Sequence, residues 1–212
     1  PTIDYGIYEA EKGKQYYFIS ERAARNMSFQ SIFAEWGVFP KVADLKGSDV
    51  IGTLVDAPLS VHKDGVRILP MESVKASKGT GVVTSVPSDS PDDYATMMDL
   101  QKKAEYYKID KEWASLEILP IIETPSYGNL TAKHLVETMK INSPKDVKQL
   151  AEAKELAYKE GFYKGKMIYG EFAGKTVEEA KPLVRQQMID AGLAFAYCEP
   201  DGAVMSRSGD EC

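Results

Sequence analysis

Cysteine and histidine are scarce in this sequence. Its 212 residues hold two Cys, Cys198 and Cys212, and two His, His62 and His134. Two thiols cannot build a disulfide framework, and they suit a reducing compartment such as the cytoplasm. The four residues lie far apart in the chain, which argues against a structural zinc centre, so no metal site is expected. Long apolar runs are also missing. The longest stretches, such as Ile118 to Ile122 with Pro120 inside, are strand-sized and fall far short of the roughly 18–20 residues that cross a bilayer. No basic, apolar and cleavable N-terminal pattern marks a secretory signal, and no membrane partner is expected. Positive charge is in deficit, with 26 Lys and Arg against 32 Asp and Glu and a net charge of −6. A free-standing nucleic-acid binder has the opposite balance. Contact with RNA would therefore be confined to a short end, with the main electrostatic grip supplied elsewhere.

What is present is an ordinary globular composition, 43% hydrophobic and 27% charged, in short strands that alternate irregularly with helices. Residues Gly6–Ala10 and Gln15–Ile19 read as a hairpin over Glu11-Lys12-Gly13-Lys14. Ser20 caps a helix with Ala23, Ala24 and Met27 on one face. Asp49–Val55, Val66–Leu69, Gly81–Val86 and Glu117–Ile122 read as strands. A helix is expected from Pro91 to about Lys108, with Tyr94, Met97, Met98 and Ala104 along its apolar stripe. A second runs from Ser143 and Pro144 to Gly161, with Val147, Leu150, Ala151 and Ala157 inward. A third begins in a capping box of Thr176 and Glu179 and stops at Gly192, with Pro182 kinking or delaying it. Leu193–Cys198 and Ala203–Met205 read as a last hairpin over Pro200-Asp201-Gly202. No repeat and no βαβ rhythm with a nucleotide fingerprint is visible. The expected fold is α+β, a mixed β-barrel-like core with peripheral helices. It forms one domain over 1–212, with a helix-rich insertion over about 99–192. The chain begins at Pro1 without Met and ends on Cys212 just past Met205-Ser206-Arg207-Ser208, which reads as a piece of a longer protein.

The most informative stretch runs from Gly79 to Tyr94. Gly79 and Gly81 permit close backbone approach around Thr80. Val82, Val83, Thr84, Ser85 and Val86 continue as a β-branched strand, followed by Pro87-Ser88-Asp89-Ser90-Pro91-Asp92-Asp93-Tyr94. Ser90 is placed to cap a helix, Pro91 suits its first position, and Asp92 and Asp93 sit in its first turn. Spacing alone is satisfied by a plain reading, in which acids near a helix start complement the dipole by about 0.3–1 kcal/mol. A ligand-binding role is the competing one. Gly-Thr-Gly without a following lysine is no phosphate loop.

This stretch resembles the editing-site segment of leucyl-tRNA synthetases of the eukaryotic and archaeal type: Gly-Thr-Gly, apolar strand, Pro, polar turn, Asp-Tyr. Further segments are similar to the same family in the same order. They are Glu21–Ser28, Leu69-Pro70-Met71, Ile121-Ile122-Glu123 with Gly128-Asn129-Leu130, Leu150–Lys154, Gly161-Phe162-Tyr163, Met188–Gly192 and Met205–Cys212. The resemblance spans essentially the whole chain. It implies the editing domain of a cytosolic leucyl-tRNA synthetase, an aminoacyl-tRNA deacylase that hydrolyses the ester of misaminoacylated tRNA(Leu) of isoleucyl, norvalyl or methionyl type. The implied partners are the 3′ terminal adenosine of that tRNA and the rest of the synthetase chain, with the piece itself monomeric. No cofactor is implied for editing; ATP and Mg belong to the separate synthetic domain.

Carried over by position, Asp93 matches the carboxylate that holds the α-ammonium of the misattached amino acid, the role assigned here as catalytic. Gly79, Thr80, Gly81, Val82, Val83, Thr84, Ser85 and Val86 match the pocket strand, with Asp92 beside Asp93. Thr84 and Val86 fall where the family has side-chain and adenosine contacts. Lys75 and Lys78, with Lys63 and Arg67, flank this strand and meet phosphates on one reading or are solvated surface groups on the other. The family's threonine-rich strand, expected upstream of Pro1, is absent, which implies weak activity of the isolated piece. Two alternatives stay open: a non-catalytic RNA-docking module, and the editing domain of a related isoleucyl or valyl enzyme. The chemistry suits the residue set, because an activated ester needs positioning and oxyanion donors rather than a strong nucleophile. His62 and His134 are expected to be surface or packed residues, and neither Cys has a basic sequence neighbour to activate it.

Overall fold

The computed structural model describes residues 1–202 and 204–210. The chain divides into two compact units. One comprises Thr2–Gly47, Ser73–Val83 and the C-terminal part from Ala194; the other comprises Pro1, Ser48–Glu72 and Thr84–Leu193.

The first unit is built on an antiparallel sheet. Strands β1 (Asp4–Glu11) and β2 (Gln15–Ile19) form the expected hairpin, and β3 (Lys41–Lys46) pairs with the other edge of β1, giving the order β2-β1-β3. The third strand carries no alternation that sets it apart in the sequence. Along β1, alternate side chains bury Tyr8 and Ala10 on one face, as the period-2 pleat requires. Helix α1 (Glu21–Ser28) follows directly, its first turn capped by the Ser20 hydroxyl, which accepts the Ala23 N–H. Its Ala23, Ala24 and Met27 pack with Tyr8, Ala10, Ile19 and Phe33 as the core of this unit. The final hairpin is not formed in the described residues, since 193–198 carry no ladder; Ala203, the start of its second strand, lies outside the described residues, as does Cys212.

The second unit is mainly helical. Helices α3 (Pro91–Lys102), α5 (Thr131–Thr138) and α6 (Val147–Lys164) pack around Tyr94, Ala95, Ala132, Leu135, Val136, Leu150, Ala153 and Ala157. A smaller patch joins Leu100, Ala104, Ile109 and Ala114. The short α2 (Gly47–Val50) precedes these helices in the chain, α4 (Ala104–Tyr107) and a 3-10 turn, Lys111–Ala114, lie between α3 and α5, and α7 (Val177–Asp190) closes the series. Two short ribbons, β4 (Leu54–Val55) with β5 (Val66–Arg67) and β6 (Ile122–Glu123) with β7 (Lys166–Met167), complete it.

The α+β class with peripheral helices is the one observed, but the described residues form three small sheets and no closed barrel. Several expected elements are corrected. The Asp49–Val55 strand gives way to the end of α2 and two residues of β4, and Glu117–Ile122 contributes only its last residue to β6. The helix expected over Pro91–Lys108 breaks at Lys103, whose backbone leaves the helical region. Buried Asp99 spans the break, pairing with Lys103 at 2.7 Å and accepting the Tyr107 hydroxyl at 2.8 Å. Helix α6 starts later than Ser143, because the Asp146 carboxylate takes up the N–H groups of Asn142 and Ser143 before the first turn. Val147 is 69% exposed and Ala151 is exposed; the buried stripe is Leu150, Ala153 and Ala157. Gly161 does not stop α6, which runs on to Lys164. The Thr176–Glu179 capping box forms in full, and α7 accommodates Pro182 without ending.

Candidate functional site

The stretch singled out by the sequence is shared by the two units. Thr84 to Tyr94 belongs to the helical unit and Gly79 to Val83 to the sheet unit.

In the helical unit the chain turns sharply at Pro87 to enter α3. The Val86 carbonyl accepts the N–H groups of Asp89 at 3.1 Å and Ser90 at 2.9 Å. The Val86 N–H is in turn donated to Asp93 Oδ2 at 2.8 Å. Val86 is thereby held on one side by the turn that leads into the helix and on the other by the helix's first turn. Pro91 occupies the first helical turn, as expected. Ser90 is the N-cap residue but makes no side-chain bond to the backbone of the helix. Its hydroxyl instead favours the charged form of the Asp93 carboxylate. The expected Ser90 cap is thus replaced by a carboxylate from the first turn that reaches back to Val86, ahead of the helix.

Asp93 is partly buried. Burial pushes its carboxyl above the ordinary aspartate value, opposed by the Val86 N–H, the Ser90 hydroxyl and the charge of Lys154, and reinforced by Asp92. A carboxylate in this condition gains from a cation: it is desolvated, fixed in orientation, and not fully neutralised by its donors. Asp92 points to a different partner, Lys154 Nζ of α6, at 3.3 Å. Asp89 is also partly buried, with its carboxyl pushed up to about 6 by desolvation and restrained by the Ser88 hydroxyl at 2.5 Å. Ser88 and Ser90 are buried, so the polar turn is packed into the unit rather than solvated.

In the sheet unit the Gly79-Thr80-Gly81 turn is held at three successive residues. The Gly79 N–H is shared by both carboxylate oxygens of Glu199, at 2.9 and 3.0 Å. The Thr80 carbonyl accepts the Ser20 N–H at 2.9 Å, and the Gly81 carbonyl accepts the Tyr5 hydroxyl at 2.6 Å. Gly81 has φ +80, and a Cβ there would lie 2.9 Å from the Tyr5 ring, so both conformation and space require glycine. The Gly81–Val86 strand of the sequence reading does not join a ladder. Its β-branched residues favour extended backbone, but a ladder needs a facing edge, which local sequence cannot supply. Val82 and Val83 are 47% and 62% exposed, and Thr84 and Ser85 are exposed.

Of the flanking cations, Lys75 and Lys78 are exposed. Arg67 is engaged within its own unit, donating to the Gly52 carbonyl at 2.8 Å and lying over the Trp113 ring. Lys63 donates to the Ser60 carbonyl at 2.7 Å and faces Tyr169. His134 is exposed on α5 against Tyr127, and His62 sits in the Ser60 turn. The residues that sequence reading missed are Glu199, Arg22, Tyr197 and Tyr5, which act across large chain separations and leave no local pattern.

No family model matches the chain. Over all 212 residues it is 63% identical to the cytoplasmic leucine–tRNA ligase of Neurospora crassa and 54% identical to that of Saccharomyces cerevisiae. It spans about a fifth of those relatives, 19% of each. Among solved structures, the crystal structure of GlLeuRS-CP1 is 37% identical at a TM-score of 0.84, with 95% of this chain and 76% of that one covered. The Plasmodium falciparum cytosolic leucyl-tRNA synthetase editing domain is 30% identical at a TM-score of 0.84, with 94% and 72% covered. The fold is therefore that of a synthetase editing domain. This chain belongs to the leucyl-tRNA synthetase editing-domain family.

Proposed function

We propose that the chain performs post-transfer editing in the cytoplasm as part of a leucyl-tRNA synthetase, hydrolysing the ester that links a wrong amino acid, of isoleucyl, norvalyl or methionyl type, to the terminal adenosine of tRNA(Leu). The observation that carries this reading is Asp93, a partly buried carboxylate fixed on the Val86 N–H and matched by position to the carboxylate that receives the α-ammonium. An ammonium–carboxylate contact in such a setting contributes about 1.5–3 kcal/mol. It places the ester rather than attacking it. The α-ammonium and the neighbouring ribose hydroxyl already activate the ester, so water held near the carbonyl suffices. Such a second site is required because an apolar pocket rejects a close analogue of leucine by only about 1–3 kcal/mol. The exposed run from Val82 to Ser85 supplies the surface for the terminal adenosine and the amino acid side chain, and Lys75 and Lys78 are the cations for adjacent phosphates. The rest of the synthetase binds the tRNA body, which accounts for the acidic balance of this part, and ATP and Mg serve only its synthetic site.

The test is deacylation of isoleucyl-tRNA(Leu) by the full-length synthetase carrying Asp93→Ala. Loss of deacylation with leucylation retained is expected. Wild-type deacylation would overturn the assignment and leave Asp93 as a structural brace for the α3 entry, a role that its bond to Val86 already provides.

A further inference from the structure

Glu199 lies 120 residues from Gly79 in the chain, yet both its carboxylate oxygens are directed at the Gly79 N–H. The same carboxylate pairs with Arg22 of α1 at 3.0 Å and accepts the Tyr197 hydroxyl at 3.2 Å, and Tyr197 also accepts from Asn26 at 3.3 Å. Glu199 and Arg22 side chains are each 16% exposed. The pair is thus largely sheltered, and its neighbours hold the Glu199 carboxyl below its ordinary value, through Gly79, Arg22 and Tyr197 against the opposing effect of burial. Charge-assisted bonds in such a setting are the strong ones. The arrangement is more than a helix needs for stability, because its third recipient is a backbone N–H in a glycine turn with positive φ at Gly79 and Gly81. Such a turn has no conformational preference of its own to hold it. With Ser20 fixing the Thr80 carbonyl and Tyr5 fixing the Gly81 carbonyl, the turn is pinned at three consecutive residues immediately before exposed Val82 and Val83.

We infer that Glu199 is a positioning residue for editing: paired with Arg22, it fixes the Gly79–Gly81 turn and so sets where the Val82–Val83 surface meets the terminal adenosine of the tRNA. The inference rests on the function proposed above. Glu199 does not touch the reacting ester, so its loss acts on substrate placement and leaves the Asp93 carboxylate in its own brace.

The test measures deacylation of isoleucyl-tRNA(Leu) by the full-length enzyme with Glu199→Ala, Glu199→Gln and Asp93→Ala side by side. Glu199→Ala is expected to raise KM about tenfold while kcat changes less than about twofold, the loss of a charge-assisted hydrogen bond expressed in binding. Glu199→Gln keeps an acceptor for Gly79 and is expected to recover most of the lost affinity. An unchanged KM for Glu199→Ala, or a fall in kcat and leucylation together, overturns the inference while leaving editing intact if Asp93→Ala is inactive. Deacylation surviving in Asp93→Ala would instead remove the reading on which it rests. Should Glu199→Ala not fold, Tyr5→Phe, which removes only the hydroxyl donated to Gly81, carries the test. A KM raised about threefold supports the pinned turn, and a wild-type KM overturns it.

Discussion

Asp93 accepts the backbone N–H of Val86 at 2.8 Å, seven residues back along the chain. This bond ties the first turn of α3 to the end of the extended run that precedes it. It makes one carboxylate both a helix-entry brace and a fixed anion. The two roles separate by substitution. Asp93→Asn keeps an acceptor for Val86 but removes the charge, so stability should change by less than about 1 kcal/mol while deacylation falls about tenfold or more. Asp93→Ala should lose both. Urea unfolding and single-turnover deacylation read the two effects independently.

Acid should weaken editing earlier than an ordinary aspartate would allow. Burial raises the Asp93 carboxyl above 3.8, so protonation on acidification begins at a higher pH and removes the anion proposed to receive the ammonium. The KM for isoleucyl-tRNA should therefore rise as pH falls, and Asp93→Asn should flatten that rise. A KM profile for Asp93→Asn that parallels the wild type would assign the titration to another group.

Asp89 offers a stability signature of the same turn. Its folded carboxyl lies at about 6 against an ordinary 3.8. The folded state thus holds the proton more tightly than the unfolded chain. Its contribution is fully present below 3.8 and is lost as pH rises through about 6. Asp89→Asn keeps an acceptor for Ser88 and should raise Tm relative to wild type at pH 7, with the advantage vanishing toward pH 4. Thermal unfolding across that range checks it.

Tyr8 is 1% exposed in the core of the sheet unit, and its hydroxyl has no hydrogen-bond partner among the described residues. An unpartnered buried hydroxyl costs about 1–3 kcal/mol. Tyr8→Phe should be neutral or stabilising by about 1 kcal/mol, as measured by denaturant unfolding. A loss of 2 kcal/mol or more, on the order of a broken buried hydrogen bond, would mean that the hydroxyl is engaged.

The face that α6 buries can be assayed directly. Leu150 is buried and Ala151 exposed. Leu150→Ala should cost about 2–5 kcal/mol, whereas Ala151→Lys should stay within about 0.5 kcal/mol.

Particular elements show how far the chain is legible from its residues. The β1–β2 hairpin, the Ser20-capped helix and the Thr176–Glu179 capping box rest on contacts within a few residues, and all three form as read. The start of α3 at Pro91 does as well. Strand β3 carries no local signal, and the run from Gly81 to Val86 reads as a strand it does not become. In both cases the deciding factor is whether another edge is available, and that is a property of the fold rather than of the segment. Helical periodicity places Val147 and Ala151 inward, but a mixed apolar and polar helix allows more than one stripe, and packing on α3 and α5 selects Leu150, Ala153 and Ala157.

The candidate site divides along the same line. The residue types and order of Gly79 to Tyr94 determined the family likeness, and with it Asp93 as the residue on which to focus. They also determined the helix start, because Pro91 and the two acids suit the first turn through local sterics and the dipole. Tertiary structure alone decided that Asp93 braces Val86, that Asp92 turns to Lys154, and that Glu199 with Arg22 holds the Gly79 turn. These are hydrogen bonds and ion pairs between groups brought together by packing. Their geometry is set by how the burial of Leu150, Ala153 and Ala157 places α6, and by how the Tyr8–Met27 core places α1. No pattern of spacing along a chain carries that information, since direction and distance between distant residues exist only once the cores have closed.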